Sequence, residues 1–260
     1  MQIVARSIKP IHGELGWIKP EDIKQAIGAE NIHYRKTSLL CIENPHNRAG
    51  GIPLTMDQLR ADWEVAKAHN LSVHLDGARL FNAAIALGGN VKSLSRYADT
   101  VMVCLSKGLS TPVDSLVAGA EYLIKKARKY RNMLGGGMRQ AGVIAAPDII
   151  ALTKMVDRLV EDHNTAKLLA EGLDRIEGIK VLNPVKTNMV YIDYSGLGWS
   201  DLDWINVCRK LGWKTISGPV TRLCTHYGIE AEDINMFIEG LTELVQSKSM
   251  LASLLDLEKN

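Results

Sequence analysis

Asp76 and Lys107 are the residues whose type and placement could do chemistry together. Asp76 closes the apolar run Leu71-Ser72-Val73-His74-Leu75 and is followed by Gly77-Ala78-Arg79. The carboxyl end of a strand in an open α/β sheet is where such sheets bind ligands. A carboxylate there can hold a cationic ring nitrogen, and it can equally cap a helix beginning at Ala78. Lys107 lies just past another apolar run, in Leu105-Ser106-Lys107-Gly108-Leu109-Ser110. An amine partly withdrawn from water at such a place can form a Schiff base, although most loop lysines are simply solvated. About one strand–helix–strand unit separates the two, which puts both on one rim of a sheet.

Two further segments carry cationic groups. Met133-Leu134-Gly135-Gly136-Gly137-Met138-Arg139-Gln140 sets three glycines before a helix, with Arg131 and Arg139 on either side. Backbone N–H groups in such a turn can approach an anion or a neighbouring chain, and a plain turn between helices is the competing reading. In Thr221-Arg222-Leu223-Cys224-Thr225-His226, Arg222 opens a strand with a planar fork suited to a carboxylate. Alone it would be a surface arginine.

The elements that must position these groups alternate short apolar strands with helical stretches, which argues for an α/β layered fold. Strands are expected at 38–43, 71–76 and 99–105, and a fourth begins near Leu116–Ala118. Thr55 with Gln58 three residues on reads as a helix start, with the helix running to about Asn70. Other helices are expected over Ala78–Leu87 and Glu121–Asn132, followed by a long helical region from near Met138 that Pro147 should kink or break. Beyond about Ile176 short strands (Val181-Leu182, Met189–Ile192, Leu223–Thr225) alternate with helices near Leu202–Leu211 and Asp233–Gln246. The expected division is a large domain over residues 1–165 and a small α+β domain over 166–260.

Thirty-one basic and 29 acidic residues are spread along the chain for a net charge of +2. No basic tract marks a nucleic-acid or polybasic membrane partner. No apolar run is long enough to span a bilayer, and the start lacks a signal peptide's pattern. The cysteines at 41, 104, 208 and 224 form no C-x-x-C pair, and three fall in apolar, strand-like runs where a buried inert thiol is expected. A reducing cytoplasm, no metal, and no cysteine ligand or nucleophile are the expectations.

Glu43-Asn44-Pro45-His46-Asn47, HLDGARLFNA from His74, CLSKGL from Cys104 and GGGMRQAG from Gly135 together resemble the low-specificity L-threonine aldolases. Those are aspartate-aminotransferase-like (fold type I) enzymes that use pyridoxal 5'-phosphate (PLP). The resemblance covers almost the whole chain in consistent order. It implies a mostly parallel central sheet with helices on both faces, plus a small C-terminal α+β domain. It implies that Lys107 is the Schiff-base lysine, that Asp76 pairs with the pyridine nitrogen, and that Arg79 lies near the ring hydroxyl. Arg222 then grips the amino acid's carboxylate. His46 stands near the substrate hydroxyl, as the candidate base directly or through a water. Arg131 or Arg139 serves a partner subunit's site in a homodimer or homotetramer. The implied reaction is aldol cleavage of L-threonine or L-allo-threonine to glycine and acetaldehyde. The alternatives are another fold type I lyase on a different amino acid, or a non-catalytic subunit that assembles through the GGGMRQ region.

The sequence departs from that pattern in places. Family members carry a further stretch ahead of the segment matched by Met1–Pro20, and it supplies much of the phosphate cup and the residue stacked on the ring. The expectation is therefore a chain shortened at its front, with a weakened cofactor site and uncovered sheet edge and core. Asp114 stands where the family usually has glycine, Asn132 where a basic residue is common, and Pro147 within a helix usually lacking one.

Overall fold

The computed structural model describes residues 8–28, 36–218 and 220–257, and the chain forms two compact units, Met1–Val156 and Asp157–Asn260. The first begins with helix α1 (Pro20–Ala26), which has proline in its first turn, where the missing N–H is not needed. Strand β1 (Leu39–Glu43) and helix α2 (Met56–Ala68) follow. The expected start of α2 is present as a full capping box: Thr55 Oγ1 accepts the Gln58 N–H and Gln58 Oε1 accepts the Thr55 N–H. Then come β2 (Ser72–Gly77), α3 (Leu80–Ala86), α4 (Val91–Ser95) and β3 (Thr100–Cys104). The unit continues with β4 (Ser115–Gly119), α5 (Glu121–Met133) and α6 (Gly142–Ile150).

Strands β1 to β4 lie side by side in chain order. The β1–β2 and β2–β3 pairs are parallel, and β3–β4 is antiparallel. Successive side chains on a strand point to opposite faces. Leu40, Ile42, Val73, Leu75 and Val101 share the buried face and form one core with Leu59 and Val65 of α2, Leu80 and Ala83 of α3 and Leu94 of α4. The opposite face carries Leu39 and Cys41, both exposed, and Glu43, His74, Asp76, Met102 and Cys104, all half-buried. The apolar runs conceal this alternation, so the expectation of a buried thiol fails at Cys41. Cys208, by contrast, is buried, and that burial pushes its thiol up to about 12.

Two expected boundaries moved. The helix foreseen from Met138 starts only at Gly142, after a turn. Pro147 stays inside α6, and regular winding gives way one turn later to a π-helical stretch, Ala151–Met155. Helices α1 and α4 lack a long apolar period, and neither was expected.

The second unit holds α7 (Leu159–Leu173), β5 (Lys180–Val181), β6 (Met189–Asp193), α8 (Asp201–Lys210), β7 (Thr221–Cys224) and α9 (Ala231–Leu257). Its antiparallel sheet runs in the order β5-β6-β7. The core is anchored by buried Trp204 and Phe237, with Tyr194 stacked on Trp204 at 4.7 Å and Trp213 on Phe237 at 4.3 Å between centroids. Residue 165, where the sequence reading drew its division, lies inside α7.

Candidate active site

The half-exposed face of the first sheet brings Asp76 and Lys107 to one place. Asp76, at the carboxyl end of β2, lies opposite Met102 on β3. Met102 shares its face with Cys104 two residues on, and the two sulfurs are 3.8 Å apart. Lys107 reaches back from the following loop so that Nζ donates to Cys104 Sγ at 3.2 Å. The amine therefore sits over the same face that carries the Asp76 carboxylate. Lys107 is exposed, whereas the sequence reading expected partial withdrawal from water. The helix-cap reading of Asp76 is met only by a turn ahead of the helix. Oδ1 accepts the Ala78 N–H at 3.1 Å in a turn just ahead of α3, and the helix itself begins two residues later. That bond leaves Oδ2 outside the turn.

His46 and Arg79 join this rim through the loop after β1. Asn44 is fully buried: its amide donates to the Leu54 carbonyl at 3.3 Å and accepts the Leu54 N–H at 2.9 Å, which closes the loop at its base. Its own N–H donates to the Asp76 carbonyl at 2.9 Å. Glu43 Oε1 accepts the Asn47 N–H at 2.9 Å, and Asn47 Oδ1 accepts from Arg79 Nη1 at 3.2 Å. His46 Nδ1 accepts the Ala49 N–H at 3.1 Å. In the neutral ring the proton then sits on Nε2, 3.6 Å from Glu43 Oε2. Gly16 approaches from the preceding segment at φ +90°, and a Cβ there would meet His46 Cβ at 2.3 Å, so only glycine fits against this loop. A cavity of about 1500 Å³ runs past Cys41, Glu43, His46 and Asp76.

Glu43, Asn47, Gly16 and Cys104 were given no role by the sequence. For Glu43 and Asn47 the signal was present in the Glu43–Asn47 run, where an acid and an amide flank the histidine. Cys104 looked like an inert strand thiol. Gly16 had no signal.

The other candidates stand elsewhere. Arg131 and Arg139 are exposed on either side of the glycine turn. That turn folds back on the end of α5: Gly136 N–H donates to the Arg131 carbonyl at 2.8 Å, and a Cβ on Gly137 would meet Asn132 Oδ1 at 2.3 Å. Close approach thus gives these glycines a local reason. Arg222, half-buried on β7 opposite Tyr191, belongs to the second unit. No cluster of three or more metal-ligating side chains occurs among the described residues.

The sequence pattern of the Beta-eliminating lyase family matches residues 2–195. The chain belongs to this family. It is 48% identical over 161 residues to low-specificity L-threonine aldolase 1 of Arabidopsis thaliana, covering 62% of this chain and 45% of that protein. Against the low specificity L-threonine aldolase of Escherichia coli it is 38% identical over 219 residues, covering 84% of this chain and 64% of that protein. The chain thus spans between about half and two-thirds of these curated relatives. Among solved structures, a threonine aldolase of Leishmania major superposes with a TM-score of 0.72 at 20% identity, over 88% of this chain and 68% of that one. An aspartate aminotransferase of Thermus thermophilus superposes at 0.61 and 16% identity, over 86% and 62%. The family member therefore has the aspartate-aminotransferase-like fold that the resemblance implied.

Proposed function

We propose that this chain is a PLP-dependent carbon–carbon lyase of the threonine aldolase type, cleaving L-threonine or L-allo-threonine to glycine and acetaldehyde. The observation that carries the reading is the convergence of Lys107 Nζ, through Cys104 and Met102, on the sheet face that holds Asp76. The family and its threonine aldolase members supply the reaction. Bound PLP supplies the electron sink that accepts the pair left on Cα when the Cα–Cβ bond breaks. Lys107 holds the cofactor covalently through Nζ. Asp76 keeps the ring nitrogen protonated by offering it a carboxylate. Arg79, steadied by Asn47, lies on the ring-hydroxyl side. Arg222 takes the substrate carboxylate with its planar fork.

His46 has a narrower role in this reading than that of a base. Its Nδ1 is occupied by the Ala49 N–H, so Nε2–H is a donor that orients the substrate's β-hydroxyl. The proton leaving that hydroxyl passes to a solvent water, since Nε2 already carries one. Residues 1–165 act as the cofactor domain and 166–260 as the smaller substrate-side domain. The working form is a homodimer or homotetramer in which Arg131 or Arg139 serves the partner's site. No helix among the described residues is long and apolar enough to cross a membrane, and a cytoplasmic location suits the reading.

The test is a visible spectrum of the purified chain with added PLP, before and after borohydride, beside Lys107→Ala. A band that borohydride fixes in the wild type and that is lost in the variant is expected, followed by acetaldehyde release from threonine. Folded protein with no Lys107-dependent band sinks the catalytic reading and leaves a non-catalytic subunit. A band with turnover of another amino acid, and no glycine plus aldehyde, points to a different lyase of the same fold.

A further inference from the structure

Glu43 stands where a carboxylate needs a reason. It ends β1 directly beside Asp76 of β2 in the parallel register. Two carboxylates therefore share the half-exposed face, and like charges in neighbouring strand positions repel. Each oxygen of Glu43 meets a different N–H. Oε1 accepts the Asn47 N–H at 2.9 Å. Oε2 lies 3.6 Å from His46 Nε2, the nitrogen that carries the ring proton because Nδ1 accepts the Ala49 N–H at 3.1 Å. A carboxylate offers an acceptor to each of two such donors. A carboxamide in its place offers one acceptor and turns a donor on the other.

The loop after β1 does not need this side chain for its fold. Asn44 closes it on Leu54. The His46 N–H donates to the Ile52 carbonyl at 3.3 Å, and the Gly51 N–H donates to the His46 carbonyl at 3.0 Å. What Glu43 adds is aim. At 3.6 Å the Nε2–H is beyond hydrogen-bond reach of Oε2, so the carboxylate's charge orients it and leaves it available to a hydroxyl. On the other side, Asn47 Oδ1 accepts from Arg79 Nη1 at 3.2 Å, which carries the order of Glu43 on to the guanidinium. Glu43, His46 and Asp76 all line the cavity of about 1500 Å³.

We propose that Glu43 is a positioning residue of this site: one oxygen aims the His46 Nε2–H at the substrate's β-hydroxyl, and the other, through Asn47, steadies Arg79 on the ring side. The assignment rests on the threonine aldolase reading above and deepens it, because it ties recognition of a β-hydroxy amino acid to one carboxylate at the end of β1. Loss of the first arm weakens the handling of the hydroxyl alone. Loss of both also loosens the cofactor. A Glu43 that only shaped the loop would tolerate glutamine, which keeps an acceptor for the Asn47 N–H.

The test compares Glu43→Gln, Glu43→Ala and Asn47→Ala with wild type in the PLP-loaded chain, with urea midpoints as the control for folding. Glu43→Gln is expected to keep the PLP affinity and the Lys107-dependent band of wild type. Its kcat for threonine is expected to fall about tenfold or more with KM little changed, the scale of one hydrogen bond at a charged group. Glu43→Ala is expected to bind PLP more weakly as well, by about as much as Asn47→Ala does. Combining the two is expected to add nothing in PLP affinity, because both break one chain of contacts. Should Glu43→Ala unfold, the near-isosteric glutamine variant decides alone. Glu43→Gln with wild-type kcat overturns the proposal, as do losses of PLP affinity that add. Wild type without a Lys107-dependent band, or without acetaldehyde release, is a failure of the aldolase reading alone. The positioning is then decided in the cofactor-free chain by nitrogen NMR of the histidine rings, with His46 assigned through His46→Gln. An Nε2–H tautomer in wild type that Glu43→Gln disturbs upholds it, and one that Glu43→Gln leaves unchanged overturns it.

Discussion

The first unit contains two blocks built on opposite terms. Strands β1–β3 with α2, α3 and α4 bury a continuous aliphatic core. Strand β4 and helix α5 bury no residue at all, and α6 buries only an aspartate. Leu116, Val117, Met133, Leu134, Val143, Ile149 and Ile150 all lie exposed in this second block. The candidate rim stands where the blocks meet, with Asp76 on the packed side and Lys107 on a loop leading into the open one. The difference teaches that apolar burial fixes the first block, whereas local hydrogen bonds and backbone geometry set the second within one chain. Its apolar surface is also the natural place for the partner copy proposed above.

The sharpest way to break that comparison is a pair of truncations. Leu75→Ala, at a position only 1% exposed, is expected to lose about 2–5 kcal/mol in urea unfolding. Ile149→Ala is expected to change the same measurement by less than about 0.5 kcal/mol. A loss of about 2 kcal/mol or more at Ile149 would mean that the open block is covered in solution. A dependence on protein concentration would then identify a second copy as the cover.

The packed block should carry a pH dependence of its own. Asp62 on α2 is fully buried and takes the Trp17 indole N–H at 3.2 Å, with its other oxygen unpartnered. Burial raises its carboxyl from 3.8 to about 7, and the Trp17 bond offsets this in part. The sign is that of a group raised on folding. Its stabilisation is complete below the unfolded value, falls as pH climbs to about 7 and is gone above it, by up to about 1.4 kcal/mol per unit. Urea midpoints of Asp62→Asn are expected to vary less than wild type across that window. Equal slopes would mean that water reaches Asp62.

Smaller effects sharpen the contrast at the helix starts. Thr55→Ala removes the capping box of α2 and is expected to cost about 1 kcal/mol in the same assay. Helix α5 has Ala120 as its N-cap, with no side-chain cap, and carries an exposed Glu121–Lys125 pair at 2.7 Å. Glu121→Gln is therefore expected to cost at most about 0.5 kcal/mol. A larger loss would show that α5 depends on its surface charges more than an exposed pair allows.

Much of this was open to reading from residue order alone. The α/β alternation and the start of α2 follow from local rules that need only near neighbours: apolar period, caps and turn residues. The placement of Asp76 at the end of one strand and Lys107 past the next follows from the same rules, and the family was legible in the motifs around them. Which face of a strand is covered was not, because an apolar run looks the same from both sides; Cys41 and Leu39 are exposed for that reason. Gly16 against His46 and Asn44 closing on Leu54 pair residues through the fold, so no local pattern announces them. Sequence determined which residues could do chemistry, since side-chain type and local backbone preference are written residue by residue. Tertiary structure decided which of them face one another, because proximity between distant positions is set only when the elements pack.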